Sequence, residues 1–163
     1  MKIRRYVESD RAWAEAYMEE AFGGAVQARR GELLDVLALP GFVAEQDGRP
    51  AGIVTYRRAG NKCELAFIAA FEARQGVGSA LLDAVVEAAA GCDRLWLVTT
   101  NDNLDALRFY QRRGFRLAEL RPGAVDEARR ALKPRISAVG EYGIPLRDEL
   151  ELELELGKSG AGA

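Results

Sequence analysis

The apolar residues of this chain recur with two different periods, and the predicted element changes where the period does. KIRRYV (2–7) alternates well enough for a first strand. SDRAWAEAYMEEAF follows with a helical period, setting Ala14, Tyr17, Met18 and Phe22 on one side. Ser9 or Asp10 can cap that helix, and Gly23-Gly24 ends it. AVQARRGELLDVLALPG (25–41) keeps neither period and is expected to form a loop and a short helix before Pro40-Gly41. FVAEQ and RPAGIVTYR flank Asp47-Gly48, a pair suited to the positive φ angles of a two-residue hairpin. NKCELAFIAAF (61–71) reads as the next strand, so the N-terminal half is expected to build a small antiparallel sheet.

Beyond residue 75 the helical period returns. GVGSALLDAVVEAAAG (76–91) places Leu81, Leu82, Val85, Val86 and Ala89 on a broad apolar face and stops at Gly91. DRLWLVTT (93–100) is an apolar run of the kind found inside a sheet. Strand 61–71, helix 76–90 and strand 94–100 then form a β–α–β crossover, which normally makes its two strands parallel. A short helix within TTNDNLDALRFYQRRGF ends at Gly114 and leads into the strand FRLAEL. Residues 121–149 are a long excursion with one short helix (124–132) and a Pro/Gly-punctuated loop. ELELELEL (149–156) alternates without a break, which predicts a strand with leucines inward and glutamates outward. The fold class is therefore α/β (α+β), a mixed, mostly antiparallel central sheet with one parallel crossover and flanking helices. One domain is expected over 1–156, with 157–163 as a frayed tail.

Composition narrows the chemistry. The 163 residues contain no histidine, which removes His-based nucleophile activation, imidazole metal sites and the usual neutral-pH base. Cys63 and Cys92 stand apart without a metal-ligand spacing, and inert reduced thiols suit them best. With 23 Lys and Arg against 25 Asp and Glu, nothing in the charge favours nucleic acid or an anionic membrane. No apolar run approaches the roughly 20 residues that span a bilayer, and no signal peptide opens the chain, so the expected location is cytoplasmic.

RQGVGSALL sets glycines 76 and 78 between a strand and a helix. There, bare backbone N–H groups and the helix dipole suit a phosphate. Such a pair of glycines also serves as a plain tight turn. A dinucleotide fingerprint is excluded by Leu81, and a P-loop by the missing Gly-Lys-Ser/Thr. Followed by LWLVTTNDN and then ALRFYQRRGF, however, the segment resembles the GCN5-related N-acetyltransferase (GNAT) superfamily over about residues 61–118. Asn103, Ala106, Tyr110, Gly114 and Phe115 all fall on that family's pattern.

The resemblance implies a GNAT fold, acetyl-coenzyme A as cosubstrate, no metal, and acetyl transfer to a primary amine of a small molecule or peptide. It implies that Arg74, Gln75, Gly76, Val77, Gly78, Ser79 and Ala80 hold the pyrophosphate. Ala73 replaces an Arg or Gln common in the family, which puts a side-chain contact from Arg74 in question. Backbone amides of Phe67, Ile68 and Ala69 would face the acetyl carbonyl and pantetheine, Asn103 and Ala106 would flank the pantetheine, and Arg113 would reach a phosphate. Tyr110 would be the general acid toward the sulfur, with a buried structural tyrosine as the bland alternative. A helix cap is the bland alternative for Asn103, and a solvated surface position for Arg113, Arg108 and Arg112.

Glu64 is the first candidate base and Glu45 the second, each competing with a solvated strand carboxylate and with proton loss to water. Trp13, Tyr17, Gly23 and Gly24 of the N-terminal helix and loop, and Glu141, Tyr142 and Arg147 of the excursion, are candidates for the acceptor side. Attack is expected to be direct, through a ternary complex, because no activated nucleophile is evident. Two other classes stay open: a degenerate acyl-coenzyme A sensor, and an interaction protein or homodimer that pairs through the acidic strand ELELELEL.

Overall fold

In the computed structural model, which describes residues 1–72 and 75–157, nine strands and four helices follow one another. They are β1 (Lys2–Arg5), α1 (Arg11–Phe22), β2 (Val26–Arg29), β3 (Glu32–Asp35), β4 (Gly41–Gln46), β5 (Arg49–Ala59) and β6 (Lys62–Ala70). Then come α2 (Val77–Ala88), β7 (Arg94–Thr100), α3 (Leu104–Arg112), β8 (Arg116–Arg121), α4 (Ala124–Ala131) and β9 (Glu149–Glu155). They gather into two compact units. The first holds the described residues of 1–25, 35–95 and 156–157, and the second holds 26–34 and 96–155.

The first unit is an antiparallel meander with a helix packed on it. β1 pairs with β4, β4 with β5 and β5 with β6, all antiparallel. Asp47 (φ 51°) and Gly48 (φ 74°) make the tight turn that their sequence predicts. α2 buries Val77, Leu81, Leu82 and Val85 and packs against β4, β5 and β6. That approach is close because residue 52 has no side chain: a Cβ there would lie 2.6 Å from Val77 and 2.7 Å from the Ala69 carbonyl. On α1, Ala14 and Met18 are buried as expected, whereas Phe22 is exposed. Asp10 does not cap α1 with its side chain. It accepts hydrogen bonds from Arg4, the Val7 amide and the Trp13 indole, and the Arg4 contact above all pulls its carboxyl down to about 2.

The second unit corrects three expectations. Residues 26–35 form the hairpin β2–β3 around Arg30 (φ 52°) and Gly31 (φ 76°), with only a single helical turn at Val36–Ala38 afterwards. A non-glycine in the left-handed region hid this turn from the sequence. ELELELE does form β9, but Glu149 and Glu151 are buried beside Leu152, so the glutamates do not all point outward. Their charges are met by Arg121, at 3.2 Å from each, and by the Arg30 amide on Glu149. β9 is also no edge strand. It lies between β7 and β8 in the sheet, so both of its edges are occupied within the chain.

The 122–148 excursion is held mainly by polar side chains. Arg129 of α4 donates to the carbonyls of Ile136, Ser137 and Leu146, and Asp148 accepts from the Gly123 amide. Among the described residues no helix is long and apolar enough to cross a membrane. Residues 158–163, most of the expected tail, lie outside the described residues.

Candidate active site

The sequence-predicted residues fall into two groups, one in each unit. In the first, β6 ends at Ala70, the chain turns, and α2 starts at Val77 behind Gly76. Gly76 takes φ 76°, a left-handed angle that costs a side-chain-bearing residue about 1–2 kcal/mol. It brings no side chain to cap the helix, and no acidic residue sits in the first turn. The first N–H groups of an α-helix have no intrahelical acceptor. Gly76 therefore opens an electropositive helix mouth, a fit for a phosphate group. Gln75 donates 2.6 Å to Glu72, and a cavity of about 500 Å³ beside the turn is lined by Arg49, Phe71, Gln75 and Val77 among others. Arg49 is a cation there that sequence reasoning missed. Its only signal was its place directly after the Asp47-Gly48 turn. Arg74, with Ala73, lies outside the described residues.

Phe67, Ile68 and Ala69 lie on β6 with a bulge just ahead of them. Thr55 pairs with Phe67 and Tyr56 with Leu65, so Ala66 is the extra residue. Phe67 stacks edge-on with Phe22 at 5.2 Å, and Tyr17 and Trp13 pack on Phe71 at 4.3 and 5.9 Å. Trp13 and Tyr17, two of the three aromatics expected on the acceptor side, are thus part of one ring cluster that borders β6. Glu64 is 3% exposed and pairs with Arg57 at 3.0 Å on the neighbouring strand, while Glu45 pairs with Arg4. Both candidate bases already hold an arginine.

In the second unit α3 carries Asn103, Ala106 and Tyr110 at three- and four-residue spacings, hence on one face. Asn103 does not cap the helix: its amide donates back to the Thr99 hydroxyl at 3.0 Å. Its carbonyl oxygen has no partner among the described residues. Tyr110 is 4% exposed, with its ring against Phe109 and Phe115, each at 5.3 Å. Buried tyrosines usually give their hydroxyl a partner, yet this one has none among the described residues. Burial pushes its pKa well above the ordinary tyrosine value, so the phenol keeps its proton.

Gly114 and Phe115 explain how that ring is held. Gly114 (φ 96°) lets its own amide reach the Gln111 carbonyl at 3.1 Å, and the Phe115 amide reach the Tyr110 carbonyl at 3.0 Å. This is the Schellman closure of a helix, with the expected apolar contact between Phe115 and Tyr110. Arg113 lies over the Phe109 ring at 5.9 Å, at the C-terminal end of α3 where a cation also complements the helix dipole.

Residues 8–115 match the model of the acetyltransferase (GNAT) family. The chain belongs to this family. It is similar to the uncharacterized protein YdhI of Bacillus subtilis, 45% identical over 115 residues that make up 69% of this chain and 71% of YdhI. Among solved structures it shares the fold of a Bacillus subtilis acetyltransferase in complex with CoA, with a TM-score of 0.68, 20% identity, and 96% and 99% of the two chains covered. It likewise shares the fold of yncA from Salmonella typhimurium, solved with its cofactor acetyl-CoA, at a TM-score of 0.67, 18% identity, and 99% and 97% coverage.

For a member of the GNAT family, the cysteines matter by what they cannot do. Cys63 and Cys92 are both buried, and burial pushes the Cys63 thiol up to about 11, far from a reactive thiolate. Among the described residues no cluster of three or more His, Cys, Asp or Glu could hold a metal ion.

Proposed function

We propose that this chain transfers acetyl from acetyl-coenzyme A to a primary amine of a small molecule or peptide, by direct attack in a ternary complex. The observation that carries the proposal is the Tyr110 ring, buried and fixed by the Gly114-Phe115 closure, with a hydroxyl that has no partner among the described residues. A purely structural tyrosine would spend that hydroxyl on a protein acceptor.

The bound thioester supplies an acyl carbon open to the amine and a sulfur that leaves as the carbon–nitrogen bond forms. Gly76 and the first turn of α2 bind the pyrophosphate through backbone amides, and the Asn103 carbonyl oxygen accepts from an amide of the pantetheine. Tyr110 donates a hydrogen bond to the departing sulfur. Its raised pKa makes complete early transfer of the proton unfavourable, so donation comes late and the proton shed by the amine restores the phenol. Glu64 is the candidate acceptor of the amine proton only if it is released from Arg57, and solvent competes with it. The buried, unactivated cysteines support direct attack over a covalent enzyme intermediate.

The test is thiol release from acetyl-coenzyme A with a panel of spermidine, kanamycin, L-lysine, tryptamine and a peptide with a free N-terminal alanine. Turnover of at least one amine supports the proposal. Binding of acetyl-coenzyme A without turnover of any amine would instead indicate a sensor, and failure to bind it would remove both readings.

A further inference from the structure

Among the described residues, each unit leaves one strand of the seven-stranded sheet with a single neighbour. These are β1, paired with β4, and β8, paired with β9. Such an edge carries free N–H and C=O groups and is a template for a further strand unless it is guarded. β1 is guarded by its length of four residues and by the charges of Lys2, Arg4 and Arg5. β8 has six residues, and 116–120 are all exposed. Leu117 and Leu120 among them are 56% and 57% exposed.

Pairing with β9 sorts the side chains of β8 by face. Leu117 and Leu120 lie opposite Leu152 and Leu150, on one face. Arg116, Glu119 and Arg121 lie opposite Glu153, Glu151 and Glu149, on the other. Ala118 is the extra residue of a bulge. Arg121 is committed to Glu149 and Glu151. The Arg116 side chain is 73% exposed and comes no nearer to Glu155 than 3.9 Å. Glu119 accepts from Arg121 at 3.2 Å, yet its side chain is 55% exposed. The edge therefore offers one accessible cation and one accessible anion, with leucines on the opposite face.

These features suit a second copy of the same strand. About a twofold axis between Leu117 and Ala118, an antiparallel copy brings Arg116 opposite Glu119 of the second copy, and symmetry repeats the pair. The two Leu117 side chains then meet beside the axis. A bulge spoils pairing with a regular strand, but here each copy has the same two residues between Arg116 and Glu119, so the counts match.

We propose that β8 is a self-pairing edge through which two copies of this chain form a dimer, with Arg116 of each against Glu119 of the other. The acidic strand β9, expected from its alternation to pair, lies one strand further in. The proposal does not depend on the acetyl-transfer reading.

The test is sedimentation velocity on the full chain over about 1–100 µM, a range suited to an interface of modest area. Wild type is expected to pass from monomer to dimer. Arg116→Glu and Glu119→Arg each place like charges opposite one another twice per dimer, and each should weaken dimerisation about tenfold or more. The double variant Arg116→Glu/Glu119→Arg restores both pairs and should return to within about threefold of wild type. Leu117→Asp should also leave a monomer. A wild type that stays monomeric at the highest concentration overturns the proposal. So does a dimer indifferent to Arg116→Glu and Leu117→Asp, or a double variant no better than the single ones. Should Glu119→Arg fail to fold by disturbing Arg121, the two substitutions at the exposed positions 116 and 117 decide the matter.

Discussion

Helices α2 and α3 begin in opposite ways. α2 starts behind a left-handed glycine with no side chain at its mouth, and four of its residues are buried in the apolar core of its unit. α3 buries only Tyr110, and its mouth is wired by Asn101, Asp102 and Asn103 to a neighbouring strand and to the excursion. The first is placed by area removed from water. The second is placed by hydrogen bonds, which is why its functional groups are side chains. Substitutions should therefore act through the backbone at α2 and through individual polar atoms at α3.

The largest effect expected from this contrast is at Tyr110. Tyr110→Phe keeps the packing against Phe109 and Phe115 and removes one oxygen, so kcat should fall roughly 100-fold with little change in thermal stability. Full activity in steady-state assays would return Tyr110 to a packing role.

Next comes Gly76→Val, which forces a β-branched side chain to φ 76°. At a cost of about 1–2 kcal/mol, it should raise the acetyl-coenzyme A KM by about tenfold and spare kcat at saturation. An unchanged KM would show that the α2 mouth is not a binding element.

A smaller effect is expected from pH. Because burial raises the Tyr110 pKa, the rate should climb with deprotonation of the amine and show no inflection from Tyr110 below about pH 10. The same shift bears on stability. The contribution is complete below the unfolded-state value near 10 and is lost as pH rises above it, since the unfolded chain then ionises first. Urea melts of wild type and Tyr110→Phe between about pH 8 and 11 read this directly, and parallel curves would contradict it.

The smallest effect belongs to Gln75→Ala. Gln75 is exposed and its side chain is bonded to Glu72, so the acetyl-coenzyme A KM should stay within about twofold. A tenfold rise would mean that side chains, and not only amides, hold the ligand at α2.

Much of this was legible where one residue type answers a local need. Asp47-Gly48 and Gly114 take the positive φ angles their turns demand, and such requirements are visible without knowing the rest of the fold. The residues of the α3 motif were legible by spacing, but the reason for Phe115 emerged only with the closure that fixes Tyr110. Arg30 hid the β2–β3 turn because a non-glycine seldom carries that conformation. Asn103 sits where a cap belongs, yet the strand end at Thr99 competes for its amide and wins. Nothing nearby marked Asp102, whose partner, the Glu141 amide, is 39 residues away.

Sequence by itself determined the order of the elements outside residues 26–35, the Asp47-Gly48 turn, the glycine that opens α2 and the face of α3 that carries Asn103, Ala106 and Tyr110. These depend on periodicity and on φ, both local properties of the chain. Tertiary structure decided which glutamates of β9 are buried, because Arg121 had to be brought within 3.2 Å of Glu149 and Glu151 before their charge could leave water. It likewise decided that the Tyr110 ring is buried, since a side chain's exposure depends on every neighbour the fold places around it.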